Sequence, residues 1–154
     1  MIPLATKAGE KTREVLLYLF DTTENYYYDL TGKFPVQSDR ENNYILVAYH
    51  YDANDILITP LNNITGTCIL NGITKIHDKS RKRGLTPKLH IMGNEVSEDL
   101  RKYFEDSDIQ IQLVPPHMHW KNSSERATRT FKNHFIAAIC TMEPLFPFYL
   151  WELL

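Results

Sequence analysis

The stretch NYILVAYHYDANDILITPL, residues 43–61, decides the fold that we predict. Its first half, residues 43–51, is a near-continuous run of β-branched and aromatic side chains, as in a strand buried on both faces. Residues 52–55 have the composition of a turn, and residues 56–59 form a second strand that we expect to stop at Pro60. With the aromatic segment 26–30 before it, this pattern predicts an antiparallel meander.

The residues after the meander alternate between helical and strand patterns. Three segments have helical patterns. Residues 67–82 contain Gly72 and are followed by Gly84 as a stop, and residues 97–104 begin with Ser97 as the cap. Residues 123–140 place Phe131, Phe135 and Ile136 on the predicted core face. The strand segments are 88–92 and 109–114. This order predicts an α/β fold with a mixed five-stranded sheet, antiparallel and parallel strands together, flanked by helices.

Composition limits the class of protein. The chain has 154 residues, 43% hydrophobic and 23% charged, which fits one ordinary globular domain. The apolar run 15–20 is too short to span a bilayer, and residues 1–14 lack a secretory signal pattern. We therefore expect an intracellular protein without a membrane partner. Two distant cysteines, Cys68 and Cys140, exclude a disulfide framework.

The net charge of −2 hides two basic segments. The first contains Lys75, Lys79, Arg81, Lys82, Arg83 and Lys88, and the second contains Lys121, Arg126, Arg129 and Lys132. Such segments create a local positive field that suits the phosphates of nucleic acid. A solvated helix face is the simpler interpretation of charge alone.

Three places carry carboxylates with a potential chemical role. Asp29 ends a predicted strand, Glu125 lies in the first turn of the last long helix, and Glu95 follows the strand at 88–92. Turn, cap and helix-dipole functions explain each acid when it is taken alone. On the last helix, Glu125 shares one face with Arg129 and Lys132, either as an ion-pair ladder or as a metal ligand beside phosphate-binding cations.

Three segments together resemble the integrase catalytic core of retrotransposons, nearest to elements of the Ty1/copia kind. They are YDLTGKFPV at 28–36, the meander at 43–61, and NSSERATRTFKNHF at 122–135. The resemblance implies an RNase H-like fold over residues 25–154, after an N-terminal extension at 1–24. We also expect the core to be truncated at its C-terminus.

The resemblance further implies a site of two aspartates and a glutamate that holds two divalent ions, Mg²⁺ or Mn²⁺, for strand transfer on DNA. The first Asp falls on Asp29 and the Glu on Glu125, but the second Asp position is occupied by Gly93. We therefore expect metal binding and catalysis to be impaired. The predicted DNA-binding residues are Arg126, Arg129, Lys132, Lys121, Lys79 and Lys82.

The remaining expectations also follow from the resemblance. Such cores commonly dimerise, and an active one would work in the nucleus. The family favours Gly where this chain has Glu41, so we expect a strained turn there. A non-catalytic remnant of the same fold, which binds DNA or self-associates, is the alternative function.

Overall fold

A computed structural model describes residues 24–93, 96–114 and 123–154 of the chain. In chain order the elements are β1 (Asn25–Leu30), β2 (Tyr44–His50), β3 (Asp55–Leu61), α1 (Gly66–Lys82), β4 (Leu89–Met92), α2 (Glu98–Asp106), β5 (Gln110–Leu113), α3 (Ser123–Thr141) and a short 3-10 helix (Phe148–Leu153). The apolar run at 15–20 lies outside the described residues. The predicted order of strands and helices is confirmed.

The described strands form one five-stranded sheet in the order β3-β2-β1-β4-β5. β1, β2 and β3 make the predicted antiparallel meander, with Asp29 opposite Val47. β4 joins β1 in parallel, with Tyr27 opposite Ile91, and β5 joins β4 in parallel. Both parallel pairs require a crossover helix, which α1 and α2 supply.

Helices cover both faces of the sheet. α1 and α2 pack on the face that carries Tyr26 and Tyr28, around a core that includes Ile73, Ile76 and Phe104. The opposite face carries a second core of Ile45, Val47, Ala127 and Trp151, to which α3 and the 3-10 helix contribute. Because successive side chains of a strand alternate between faces, Tyr27 and Asp29 lie on the α3 face.

Two glycines explain how α1 fits against the sheet. A Cβ on Gly72 would approach the Leu61 side chain to 2.8 Å, so glycine lets the helix lie close to β3. At the C-terminal end, Gly84 has φ +79°, and the backbone N–H groups of Gly84 and Leu85 bond to the carbonyls of Arg81 and Ser80. This is the glycine stop that the sequence predicts.

Two details of the predicted elements are wrong. β3 does not stop at Pro60 but continues to Leu61, because β3 is an edge strand and an edge tolerates a residue without an N–H. Ile136 does not share the core face of α3 with Phe131 and Phe135, since it is 56% exposed. Within the described ranges, no helix is long and apolar enough to cross a membrane.

Candidate functional site

Asp29 lies near the carboxyl end of β1, on the α3 face of the sheet. Its side chain is half-buried, and its Oδ1 accepts a hydrogen bond from the N–H of Leu30 at 2.9 Å. Its cross-strand partner, Val47, is fully buried in the core cluster that contains Ala127 of α3. The carboxylate of Asp29 therefore sits at the border between the α3 core and solvent.

Gly93 directly follows β4, at the same edge of the sheet as Asp29. The parallel register pairs Tyr27 with Ile91, so continuing it by two residues sets Asp29 beside Gly93. Gly93 is exposed, a Cβ built on it meets no heavy atom within 4 Å, and its φ is outside the left-handed region. The backbone here accommodates a side chain, and the glycine is not required by the local fold.

Glu125 belongs to the first turn of α3 and is exposed. Nearby in the helix, Ser124 is fully buried, and Ala127 packs with Ile45 and Val47 of the sheet. Since α3 packs against β1 and β2, its first turn lies on the face that carries Asp29. An acid in a first turn is also stabilised by the positive end of the helix dipole.

Tyr27 is a further candidate site residue, although the sequence pattern indicates only that it belongs to a strand. It lies opposite Tyr49 in the register of β1 and β2, and its ring lies 6.3 Å from those of Tyr49 and Tyr51. Burial raises the pKa of Tyr27, with a smaller contribution from Tyr51, and the nearby Ser123 at the start of α3 acts in the opposite direction. Period-two alternation in NYYYDL could have found this residue, because it puts Tyr27 on the same face as Asp29.

The cations of α3 are exposed. Arg129 and Lys132 follow Glu125 along one flank of the helix, and Arg126 is exposed in the first turn. This flank lies beside the core stripe of Phe131 and Phe135. Lys121 lies outside the described residues, as do Glu95 and the rest of residues 115–122.

Lys79 and Lys82 belong to α1, which packs on the face of the sheet opposite to the one that carries Asp29. They occupy the last turns of α1, where the Lys79 Nζ donates to the Ile58 carbonyl at 3.3 Å. The neighbouring Arg83 pairs with Asp55 at 2.5 Å, at the end of the sheet opposite to Asp29. The structure therefore does not bring the two predicted basic segments together around one site.

Two divalent ions at this edge would need several oxygen ligands from the side chains around it. In the described part of the chain, no group of three or more His, Cys, Asp or Glu side chains is arranged to hold a metal ion. Asp29 and Glu125 supply carboxylates, but Gly93 supplies none. The residues present do not fit a site with three carboxylate ligands.

Comparisons with known proteins identify the fold. No family model and no curated protein matches the sequence. A chain of the simian T-cell lymphotropic virus intasome, solved by cryo-EM in complex with PP2A regulatory subunit B56 gamma, has a TM-score of 0.66 at 12% identity. That match covers 84% of this chain and 47% of the other, so this chain spans about half the length of that neighbour.

The catalytic core domain of BIV integrase is a second structural neighbour. Its TM-score is 0.60 at 14% identity, over 79% of this chain and 74% of the BIV domain. Both neighbours agree with the fold that the resemblance implies. The five-stranded mixed sheet flanked by helices matches the RNase H-like fold of the BIV integrase catalytic core.

Proposed function

We propose that this chain is the catalytic core of a retrotransposon integrase that binds DNA and is impaired in metal-dependent strand transfer. The observation that carries the proposal is the parallel pairing of β1 with β4, whose register, when it is continued, sets Asp29 beside the exposed Gly93 in a sheet that matches integrase cores. Loss of one member of a cooperative catalytic set removes most of the rate. The DNA on which such a core acts also implies a place of action inside the cell, and in the nucleus if activity survives.

The Gly93→Asp variant tests the impairment. The space around Gly93 admits a side chain, so the variant should fold and restore the missing carboxylate. We expect strand transfer with Mg²⁺ or Mn²⁺ to rise by about a hundredfold or more. Gly32→Asp is the matched control, because Gly32 is also exposed with nothing within 4 Å of its Cβ. Equal and robust activity of the natural chain and Gly93→Asp would refute the impairment.

Metal binding gives a readout that does not depend on activity. In a Mg²⁺ titration followed by thermal unfolding, Gly93→Asp should gain more stability than the natural chain, because a bound ligand stabilises the state that binds it. An identical response of the natural chain, Gly93→Asp and Gly32→Asp would show that position 93 does not contribute a ligand.

DNA binding is assigned to the α3 flank. We expect Arg129→Glu with Lys132→Glu to weaken binding of a duplex and to reduce the salt dependence of its affinity, since fewer counterions are released. Arg101→Glu with Lys102→Glu on α2, which makes the same charge change at exposed positions, is the control. Equal losses in both double variants would indicate an effect of net charge and not of the flank.

Self-association without catalysis is the second candidate function. Its support is a set of exposed apolar residues near the C-terminus, where Leu145 is 88% exposed, Leu153 66% and Phe148 60%. Homodimerisation through this surface predicts a sedimentation coefficient that rises with concentration. A monomer at all concentrations would exclude it.

A further inference from the structure

The outer edge of β3 is open among the described residues. β3 pairs only with β2, and Ile45 of β2 turns its N–H and C=O toward Thr31, away from β3. Ile45 and Pro60 therefore form a non-hydrogen-bonded pair of the antiparallel ladder, and the backbone of Pro60 faces outward, away from β2. By alternation along the strand, the N–H and C=O groups of Ile56 and Ile58 also face outward.

A groove of about 450 Å³ follows this edge. It is lined by Ile56, Leu57, Ile58, Lys79, Lys82 and Arg83. α1 runs beside β3, so the cations lie along one side of the open backbone. Arg83 pairs with Asp55, whereas Lys79 and Lys82 form no ion pair with any described residue.

The two sides of the groove differ in chemistry. Leu57 belongs to the core under α1, whereas Ile56 and Ile58 pack on the α3 side of the sheet. Side chains of a strand added outside β3 would point alternately to the α1 side, toward the lysines, and to the isoleucine side. The groove thus matches an extended chain in which acidic and apolar residues alternate.

We propose that the open edge of β3 docks such an extended acidic–apolar segment of a partner protein by strand addition. Backbone hydrogen bonds to Ile56 and Ile58 provide the affinity, and the two lysines and two isoleucines provide the specificity. Pro60 has no N–H to donate, so pairing is limited to the first part of the strand. The Lys79 ammonium, which covers the Ile58 carbonyl at 3.3 Å, moves to an acidic side chain of the partner when the segment binds.

Nucleic acid fits this groove less well. A phosphate oxygen accepts hydrogen bonds only, so it leaves the outward carbonyls of β3 without donors. A phosphate also provides no apolar partner for the side chains of Ile56 and Ile58. An extended peptide satisfies both the N–H and the C=O groups of the strand.

Amide hydrogen exchange of the full chain tests the proposal, with the peptide acetyl-Glu-Val-Glu-Val-Glu-Val-Glu-amide as the probe. We expect the Ile56 and Ile58 amides to exchange rapidly in the free chain and to become protected when the peptide is added. The matched peptide with Lys in place of Glu should give no protection. Lys79→Glu with Lys82→Glu should weaken binding about tenfold or more, whereas Arg101→Glu with Lys102→Glu should leave it unchanged.

Four results would overturn the proposal. Protection of both amides in the free chain would mean that this chain or a second copy already fills the edge. Equal binding of the Glu and Lys peptides, or equal weakening by the two double variants, would remove the assigned specificity. Binding of a DNA duplex, in place of the peptide, that depends on Lys79 and Lys82 would assign the groove to nucleic acid.

Discussion

Glu41 has a backbone conformation that is unfavourable for a residue with a side chain. Its φ is 65°, in the left-handed region that disfavours side chains with a Cβ. The turn is fixed around it, because the Glu41 N–H bonds to the Ser38 carbonyl and its own carbonyl accepts from Gln37. The strained turn expected from the sequence is confirmed.

Replacing this residue with glycine should stabilise the protein. Glu41→Gly relieves the steric cost of the positive φ, and we expect the free energy of unfolding to rise by about 0.5–1 kcal/mol after the extra entropy of the unfolded chain is subtracted. Urea denaturation measures the change. Glu41→Ala keeps the Cβ and should give no gain, so a gain of equal size in Glu41→Ala would show that the turn is not strained.

Individual site residues could be placed from the sequence only in part. Asp29 is readable because it closes an aromatic strand before a Thr-Gly pair. The approach of Ser123 to Tyr27 is not readable from the sequence, because the two residues are 96 positions apart and come near each other only in the folded chain. The absence of a carboxylate at position 93, by contrast, is visible in the sequence itself.

Among the secondary-structure elements, α2 has the best-defined start. Ser97 is its N-cap, and the Ser97 Oγ accepts a hydrogen bond from the Leu100 N–H at 3.4 Å. Glu98 and Asp99 follow in the first turn, where the helix dipole favours acids.

Loss of this cap should weaken the fold measurably. We expect Ser97→Ala to lower the free energy of unfolding by about 1 kcal/mol, since one N–H of the first turn loses its partner. Chemical denaturation measures it, and Ser107→Ala at the other end of the helix serves as the control. A loss of equal size in Ser107→Ala would contradict the assignment.

Element types followed from the sequence more reliably than element ends. The C-terminal end of α1 is predicted correctly from Gly84, because the helix ends through the positive φ of that one residue. The end of β3 was missed because the tolerance for Pro60 depends on the strand's position at the sheet edge. Position in a sheet is a property of the assembled molecule and not of the segment.

The largest core of the molecule, which lies under α1 and α2, contains two histidines in contact with each other. His77 and His90 are fully buried, their Nε2 atoms lie 3.1 Å apart, and the His77 Nδ1 is 2.8 Å from the Tyr103 hydroxyl. Burial lowers the pKa of His77 to about 4, with a smaller effect of Arg81. Burial also lowers the pKa of His90 well below its usual value, and the neighbouring His77 adds to that shift.

Stability should therefore fall as the pH decreases below the ordinary histidine range. Both imidazoles are neutral in the folded chain, whereas the unfolded chain takes up protons below about pH 6.5. Between pH 6.5 and about 4 we expect His77 alone to contribute a loss of about 3 kcal/mol. Chemical denaturation at pH 7.5, 6 and 5 measures the decline.

Two variants separate this cause from general acid effects. His90→Phe keeps a ring beside Phe104 and removes one buried titrating group, so its decline should be smaller. His134→Gln, at an exposed position of α3, should decline like the natural chain. Identical curves for His90→Phe and the natural chain would exclude the buried histidines as the cause.

The 3-10 helix binds the loop between β1 and β2. The Trp151 ring stacks on Phe34 with centroids 4.4 Å apart, and the Trp151 Nε1 donates to the Val36 carbonyl at 3.0 Å.

The residues on either side of Trp151 add hydrogen bonds to the same loop. The Tyr149 carbonyl accepts from the Asp39 N–H at 2.7 Å, and the Glu152 carboxylate accepts from the side chains of Ser38 and Asn42.

Removing the indole should be costly for the whole domain. We expect Trp151→Ala to lower the free energy of unfolding by about 3 kcal/mol, because a buried aromatic ring and its hydrogen bond are lost together. Thermal or urea unfolding measures it. Phe148→Ala, at a position 60% exposed in the same helix, should change stability little; equal effects would contradict the role assigned to Trp151.

The contact between Trp151 and the first loop has a consequence for biosynthesis. Phe34 leaves the ribosome more than 100 residues before the tryptophan that it stacks on. The sheet can pair as its strands emerge, but the segment after Asp29 acquires its final partners only when residues 149–152 have been translated. Maturation of this edge therefore waits for the synthesis of residues 149–152, and a nascent chain halted before them would lack the contacts of Trp151 with Phe34 and Val36.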